Sequence, residues 1–287
     1  MNKSNVYLNG RFLPLAEAQI SVMDRGFLFG DSIYEVIPAY SGRLFRLPHH
    51  LQRLDNGLQA IRIQNPMSDN EWTSMLEQLV AQNPGQDQSV YLQVTRGAAE
   101  QRDHAIPDNT RATVFAMSSP MHDPDPSVVG INAITLDDIR WRLCNIKATT
   151  LLANVLLKQQ AKDANAVESI LIRDGNAMEG AASNLFIVLA GELITPPKSN
   201  FLLPGITRDL ILELAVKNGL AHAERDITEA QLRAADEVWL TSSTKEIMPV
   251  TRLDENPVGD STPGPVYQHM SGLYSEYKER IKQGLEQ

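Results

Sequence analysis

The chain has 287 residues, enough for one large domain or two ordinary ones, and 43% of them are hydrophobic, which is ample for a buried core. Its 26 Lys and Arg against 35 Asp and Glu give a net charge of -9, the wrong sign for a protein that neutralises phosphodiesters. A disordered chain and a nucleic-acid-binding protein are therefore disfavoured. The single cysteine, Cys144, excludes an intramolecular disulfide and a cysteine-rich zinc site, and is typical of a reducing compartment.

Neither the N-terminus nor the apolar runs indicate a membrane. The first ten residues lack an apolar segment of signal-peptide length, and runs such as 185–190 are far too short to span a bilayer. We therefore expect a cytoplasmic protein with no membrane partner. The six histidines include no His-x-x-x-His pair, so we also expect no metal site. A nucleophile elbow, a Walker loop and a Gly-x-Gly-x-x-Gly fingerprint are likewise absent from the sequence.

The elements predicted in the first half of the chain are mixed. Asn9-Gly10 between two short apolar stretches predicts a tight β-hairpin. Leucines at a 3,4 spacing predict a helix over 48–63. Ser68 and Glu71 form the pattern of a capping box that opens a second helix. Two strands are predicted to follow, at 90–95 and 112–117.

A linker and a second mixed region are predicted in the other half. Three prolines within 118–126 are incompatible with a continuing strand or helix. We therefore predict a small N-terminal domain over 1–119, an interdomain linker over 120–126 and a larger C-terminal domain over 127–287. The elements predicted beyond the linker are strands at 130–135, 169–173, 185–189 and 238–241 and helices at 148–164, 207–217 and 267–283.

Two segments are suited to a phosphate group. Gly205 precedes a predicted helix whose first hydroxyl residue, Thr207, can act as its N-cap. The N–H groups there and the positive end of the helix dipole attract an anion. An ordinary helix cap explains the same pattern. The predicted strand that ends in Thr241-Ser242-Ser243-Thr244 offers four hydroxyl donors, which can complete a phosphate cup or form a solvated turn.

Two further segments are suited to other chemistry. Lys147 lies where an apolar stretch meets an apolar helix, and partial desolvation there favours the neutral, nucleophilic amine. Most lysines at such junctions simply extend to solvent. Glu179 lies among small residues in 175–184, where a carboxylate can pair with a cationic ring nitrogen. An ordinary loop explains that segment almost as well.

Taken together, these segments resemble one enzyme family. In order and spacing they are similar to the fold-type IV pyridoxal-phosphate enzymes, the group that holds D-amino-acid, branched-chain and (R)-amine aminotransferases and aminodeoxychorismate lyase. The resemblance extends over nearly the whole chain and implies an α+β fold of two domains. It is carried by the segments Asp24–Val36, His50–Leu54, Asp138–Lys147, Met178–Gly180, Gly205–Arg208 and Thr241–Ser243.

The resemblance implies a role for each cofactor-binding residue. Lys147 resembles the lysine that holds pyridoxal 5′-phosphate as an internal aldimine and moves the proton between Cα and C4′. Glu179 resembles the carboxylate that pairs with the pyridine nitrogen. Arg53 resembles the phosphate anchor, although helical periodicity alone predicts a solvated arginine at that position. The phosphate is further held by Ile206, Thr207, Ser242 and Ser243.

The resemblance also implies how the substrate carboxylate is held. Tyr34, Arg102 and His104 are similar to the carboxylate trap of the D-amino-acid enzymes, since an arginine fork matches a carboxylate. The loop before Arg102 is one residue longer than the family pattern. Ala181 and Ala182 stand where relatives often carry serines.

The implied activity is ping-pong transamination from D-alanine or D-glutamate to 2-oxo acids such as pyruvate and 2-oxoglutarate. The implied assembly is a homodimer in which the Arg-x-His loop reaches the neighbouring subunit. The alternatives with the same cofactor are a branched-chain L-amino-acid aminotransferase, an (R)-amine aminotransferase and aminodeoxychorismate lyase. A non-enzymatic binder of phosphorylated ligands is a further alternative, but it requires neither Lys147 nor Glu179.

Overall fold

The computed structural model describes residues 4–121 and 129–286, and these form two compact units. The first unit contains the described residues up to 121 together with 146–150 and 279–286. The second contains 129–145 and 151–278. The division into 1–119, 120–126 and 127–287 stays a prediction. Most of the proposed linker, 122–126, lies outside the described residues.

The first unit is built on an antiparallel sheet with the order β2-β1-β6-β5-β3-β4. The first two strands form the predicted hairpin, which is confirmed by positive φ angles of 49° at Asn9 and 93° at Gly10. The strands are β1 (Asn5–Leu8), β2 (Arg11–Pro14), β3 (Ser32–Tyr40), β4 (Arg43–Leu44), β5 (Gln88–Thr95) and β6 (Thr113–Pro120).

Strand β6 continues further than predicted. We expected the chain to leave the sheet at Ser118, but β6 pairs with β5 as far as Pro120, which lies opposite Gln88. That expectation is wrong because β1, the neighbour on the other side, pairs with β6 only up to Met117. Beyond that point β6 is an edge strand, where a proline without an N–H group is tolerated.

Helices α1 (Arg25–Phe29), α2 (Leu47–Ala60) and α3 (Asp69–Ala81) complete the first unit. The capping box of Ser68 and Glu71 is present and confirms the predicted start of α3. Helix α2 confirms the prediction over 48–63, except that it ends at Ala60. Its Leu54 and Leu58 are fully buried in the core that also contains residues of β3.

The second unit is a mixed sheet with the order β12-β11-β10-β14-β15-β7-β8-β9-β13, and β16 is attached to β15. The pairs β11–β12, β15–β7 and β7–β8 are parallel. The strands are β7 (Ile131–Asp137), β8 (Glu168–Arg173), β9 (Asn176–Gly180), β10 (Asn184–Leu189), β11 (Glu192–Thr195), β12 (His222–Glu224), β13 (Ile227–Thr228), β14 (Glu237–Ser242), β15 (Glu246–Leu253) and β16 (Asn256–Pro257).

Four further helices follow the first three along the chain: α4 (Leu152–Asp163), α5 (Ile206–Lys217), α6 (Glu229–Arg233) and α7 (Pro265–Gln283). The last residues of α7, from 279 onwards, cluster with the first unit. Within the described ranges, no helix combines the length and apolar character needed to cross a bilayer.

Two local features in the second half differ from the sequence patterns. The helix predicted from 148 begins at Leu152, because Ala148 forms a β-bridge with Ile33 and the Thr149 N–H donates to the carbonyl of Ser32. The segment 176–180, for which an ordinary loop was an alternative explanation, is strand β9, which forms a hairpin with β8. Its turn has φ angles of 50° at Asp174 and 78° at Gly175.

Candidate active site

Lys147 lies in a short segment that runs beside the beginning of β3 in the first unit. The Tyr34 N–H donates to the carbonyl of Lys147 over 3.0 Å, and the hydroxyls of Ser32 and Thr149 are hydrogen-bonded to each other. The Lys147 ammonium nitrogen lies 4.1 Å from the centroid of the Tyr34 ring. The backbone of this segment is therefore fixed by β3, and the half-buried lysine side chain is held against an aromatic face.

Arg53 belongs to a buried ionic cluster behind this segment. Its Nε and Nη2 atoms each donate over 2.7 Å to Glu35, one to each carboxylate oxygen. His50 Nδ1 lies 2.7 Å from Glu35 Oε2. Burial raises the pKa of Glu35, but the Arg53 guanidinium and the His50 hydrogen bond outweigh burial and hold that pKa far below its ordinary value. Burial also lowers the pKa of His50.

The expectation from periodicity of a solvated Arg53 is wrong, since its side chain is only 9% exposed. Sequence reasoning also gave no role to Glu35, its partner. A signal was available, because Ile33, Glu35 and Ile37 share one face of β3 and all three are fully buried. A carboxylate between two apolar residues on a core-facing strand requires a buried cation, and Arg53 on α2 supplies it.

The predicted substrate-carboxylate residues lie in the same unit. Tyr34 is half-buried and stacks on Tyr91, with ring centroids 5.7 Å apart. Arg102 and His104 lie on an exposed loop. Both contact Phe29: the Arg102 guanidinium carbon lies 5.0 Å from the centroid of the ring, and the His104 and Phe29 centroids are 5.2 Å apart. The Arg-x-His loop is therefore exposed on this chain.

Glu179 is the centre of a second ionic cluster, in the second unit. Its Oε1 accepts a hydrogen bond from Arg140 Nη1, and its Oε2 accepts one from Asn184 Nδ2 over 2.9 Å. The Leu203 N–H lies within 3.2 Å of both oxygens. Burial raises the pKa of Glu179 to about 7 against the opposing influence of Arg140 and the Leu203 N–H. This carboxyl is therefore close to its titration point at neutral pH.

Arg140 and Asp138 position Glu179, and sequence reasoning assigned them no role. Arg140 Nε and Nη2 each donate to Asp138 over 2.9 Å, and Nη2 also donates to the carbonyl of Phe201. Arg173 forms a second ion pair with Asp138 at 2.9 Å. Asp138 and Arg140 directly follow strand β7 in the sequence, but only the fold shows that Arg140 contacts Glu179.

The candidate phosphate cup lies at the start of α5. The N-cap is Gly205, which provides no side-chain hydrogen bond, so the expectation that Thr207 is the cap is wrong. The first-turn N–H groups of Ile206 and Thr207 consequently have no capping side chain, and both residues are buried. A side chain at Gly205 would collide with Asn184, the residue that also contacts Glu179.

Strand β14 adds hydroxyl groups to the second unit. Thr241 lies opposite Asn184 in the β10–β14 pair, and its buried hydroxyl oxygen has no hydrogen-bond partner among the described residues. Ser242 and Ser243 follow it and are half-buried. The buried Thr241 hydroxyl, opposite Asn184, is therefore a hydrogen-bond donor available to an anion.

Residues 32–253 match the model of the amino-transferase class IV family, and the chain belongs to that family. The resemblance and the fold class expected from the sequence are thereby confirmed, and the protein is an aminotransferase. It is 41% identical to the D-alanine aminotransferase of Bacillus licheniformis over 92% of this chain and 94% of that protein. It is 39% identical to the D-alanine aminotransferase of Listeria monocytogenes strain 10403S over 94% of this chain and 95% of that protein.

Among solved structures, the chain resembles the branched-chain amino acid aminotransferase from Escherichia coli. The TM-score is 0.87 and the sequence identity is 26%, with 95% of this chain and 93% of that chain covered.

Proposed function

We propose that this protein catalyses the pyridoxal-phosphate-dependent transamination of D-amino acids, with D-alanine or D-glutamate as donors and 2-oxo acids as acceptors. The observation that carries the D-amino-acid assignment is the 41% identity to a D-alanine aminotransferase over 92% of the chain. The similar branched-chain enzyme has the same fold at a lower identity of 26%. The family match therefore supports the reaction class, and the higher sequence identity to the D-alanine enzyme supports the substrate class.

The polar groups described above fit pyridoxal phosphate. Within the second unit, Glu179 offers a carboxyl for a ring nitrogen, and the N–H groups of Ile206 and Thr207 are suited to phosphate. The unpaired Thr241 hydroxyl lies on the strand that leads to Ser242 and Ser243, which we also assign to the phosphate. In the first unit, we assign covalent attachment to Lys147 and a phosphate contact to Arg53.

The cofactor, when bound, supplies an electrophilic carbon for the amino group and an electron-accepting ring. Lys147 would hold the cofactor through its amine and, once the incoming amino group has displaced it, that amine would take the proton from the substrate Cα and deliver it to C4′. In its ionised form Glu179 would keep a proton on the ring nitrogen, and Arg140 holds that carboxylate in place. Because the carboxyl is already buried, this pairing requires little further loss of water.

Substrate configuration follows from the side on which the carboxylate is held. With Lys147 fixed on one face, the Cα–H must point towards its amine, so exchanging the carboxylate and side-chain positions inverts the accepted enantiomer. Tyr34, Arg102 and His104 are our candidates for the carboxylate contact in the D-enantiomer orientation. A guanidinium fork provides bidentate recognition there.

We further propose a homodimer in which the exposed Arg102–His104 loop serves the neighbouring subunit. Large apolar side chains are solvent-exposed on this chain: Leu152 is 72% and Val155 60% exposed on α4, and Phe27 is 68% exposed on α1. Apolar groups of this size are commonly covered by a second subunit. Light scattering of the purified protein at several concentrations tests the dimer.

A donor panel tests the proposed function. D-alanine, L-leucine and (R)-1-phenylethylamine are each offered with pyruvate or 2-oxoglutarate, and the chirality of the amino acid product is determined. We expect turnover with D-alanine to exceed turnover with the other two donors by at least about 100-fold, a difference of roughly 3 kcal/mol. Equal or faster turnover of L-leucine would contradict the D-amino-acid assignment and support the branched-chain alternative, the activity named for the 26% identical structure.

A further inference from the structure

A buried arginine, Arg25, connects to the loop that we assign to the substrate carboxylate. Arg25 is 4% exposed, and its Nη1 donates to the carbonyl of Asp103 over 2.5 Å. Its Nη2 lies 3.3 Å from the carbonyl of His104. Both acceptors are backbone atoms of the loop, which places the contact on the chain between Arg102 and His104 rather than on their side chains.

The third guanidinium nitrogen of Arg25 contacts a carboxylate of the same unit. Its Nε donates to Asp31 Oδ2 over 2.9 Å, and Arg96 contacts the same carboxylate with two nitrogens at 2.7 and 2.9 Å. Burial raises the pKa of Asp31, but the hydrogen bonds from Arg96 and Arg25 hold it below its ordinary value. Arg96 also donates to the carbonyls of Ile61 and Arg62, just after α2. The guanidinium of Arg25 is therefore fixed by the folded core of the unit.

The same region also supports the loop side chains. The guanidinium carbon of Arg25 lies 4.8 Å from the centroid of the Phe29 ring, which also contacts Arg102 and His104. The loop residues themselves are solvent-exposed, so burial of their own side chains contributes little to their position. Hydrogen bonds from a rigid donor are then the natural means of orienting an exposed loop.

We propose that Arg25 is the positioning residue that holds the Arg102–His104 loop in the geometry required to bind the substrate carboxylate. This inference rests on the proposed function, because it assumes that Arg102 and His104 contact that carboxylate. Arg25 itself donates to the loop backbone and does not contact substrate. Without the Arg25 guanidinium the loop loses its hydrogen bonds at Asp103 and His104 and becomes more mobile. Amino acid donors then bind more weakly, while cofactor binding and the proton-transfer step are retained.

The test compares the full-length, cofactor-loaded enzyme with its Arg25→Lys variant, which keeps the positive charge but loses the planar fork. Arg11→Lys is the matched control, since Arg11 is an exposed arginine of the same unit. Three quantities are measured: amide hydrogen exchange of residues 99–106, the KM and kcat for D-alanine, and the absorbance spectrum and affinity of the bound cofactor.

We expect exchange in 99–106 to accelerate at least about tenfold and the KM for D-alanine to rise by a similar factor in Arg25→Lys. The kcat is expected to stay within about threefold, and the spectrum and cofactor affinity to stay unchanged, as in Arg11→Lys. Unchanged exchange, an unchanged KM despite faster exchange, or a loss of cofactor affinity would each overturn the proposal.

A second variant keeps the proposal testable if Arg25→Lys does not fold. Arg25→Gln removes the charge, and Asp31 then retains Arg96 as its counter-ion, so the buried carboxylate stays paired. The same outcomes apply to it. Failure of the proposed function is distinguished by the wild type: absence of D-alanine turnover there contradicts the substrate assignment, whereas the exchange measurement still reports whether Arg25 holds the loop.

Discussion

Glu35 in the first unit and Glu179 in the second are both buried carboxyls that contact an arginine, yet their pKa values shift in opposite directions. The pKa of Glu35 lies far below its ordinary value of 4.5, and that of Glu179 is raised to about 7. Burial raises both. The difference lies in the partners, because Arg53 directs two nitrogens to Glu35, and His50 adds a third contact.

Arg140 divides its charge between two acids. Two of its nitrogens contact Asp138 and a third contacts Glu179, and the nearby charge of Asp138 raises the pKa of Glu179 further. Glu35 is therefore ionised at neutral pH and holds α2 against β3, whereas Glu179 changes its charge near neutral pH. The contrast separates a structural ion pair from a carboxyl suited to pairing with a cationic ligand.

The largest effect is expected for Glu35→Gln. The change leaves the buried Arg53 charge without the carboxylate that it contacts twice, and we expect the free energy of unfolding to fall by about 3–5 kcal/mol. Urea unfolding followed by circular dichroism measures the loss. Glu77→Gln, at an exposed position of α3, is the control. Equal stability of the two variants would refute a structural role for the Glu35 pair.

Glu179→Gln is expected to affect activity rather than stability. Arg140 keeps Asp138 as its counter-ion, so at neutral pH the unfolding free energy should change by about 1 kcal/mol or less. We expect kcat for D-alanine to fall about 100-fold, because a neutral amide does not hold a proton on the ring nitrogen. The kcat is measured by steady-state kinetics and compared with that of the exposed control Glu276→Gln. Full activity in Glu179→Gln would show that the carboxylate is dispensable.

Sequence patterns predicted those features whose signal is local. The Asn9-Gly10 turn and the capping box of Ser68 and Glu71 depend on neighbours within three residues, and both were predicted correctly. The buried state of Arg53 depends on Glu35, a residue on another element, and no periodicity within α2 reveals it. Long-range pairing of this kind requires knowledge of the fold.

The start of α4 shows a second kind of failure. Residues 148–151 directly precede an apolar helical stretch and were predicted to belong to it, but pairing of Ala148 with Ile33 prevails over local propensity. For the candidate site, the roles of Lys147 and Glu179 stay predictions based on the family motifs. The roles proposed for Asp138, Arg140 and Arg25 depend on contacts with residues distant in sequence, which no motif reveals.

The smallest effect expected is a difference in pH dependence. A carboxyl whose pKa is raised by folding stabilises the folded chain when the pH is below the ordinary pKa of 4.5. This stabilisation is lost as the pH rises towards 7. The stability of the cofactor-free wild type relative to Glu179→Gln should therefore fall by roughly 2 kcal/mol between about pH 4.5 and about pH 7. Glu35, with its lowered pKa, stabilises the folded chain when the pH is above the ordinary glutamate pKa of 4.5, and this stabilisation is lost only at more acidic pH. If the unfolding free energies of the wild type and Glu179→Gln changed with pH in parallel, Glu179 would have no raised pKa.

Covalent attachment at Lys147 is the central claim, and reductive trapping tests it most directly. The protein is incubated with pyridoxal phosphate, reduced with borohydride, digested and mapped by mass spectrometry, beside Lys147→Ala and the exposed-lysine control Lys217→Ala. We predict a stoichiometric phosphopyridoxyl modification at Lys147 in the wild type and in Lys217→Ala, and loss of that modification together with transamination in Lys147→Ala. Modification at another lysine, or undiminished transamination by Lys147→Ala, would contradict the account.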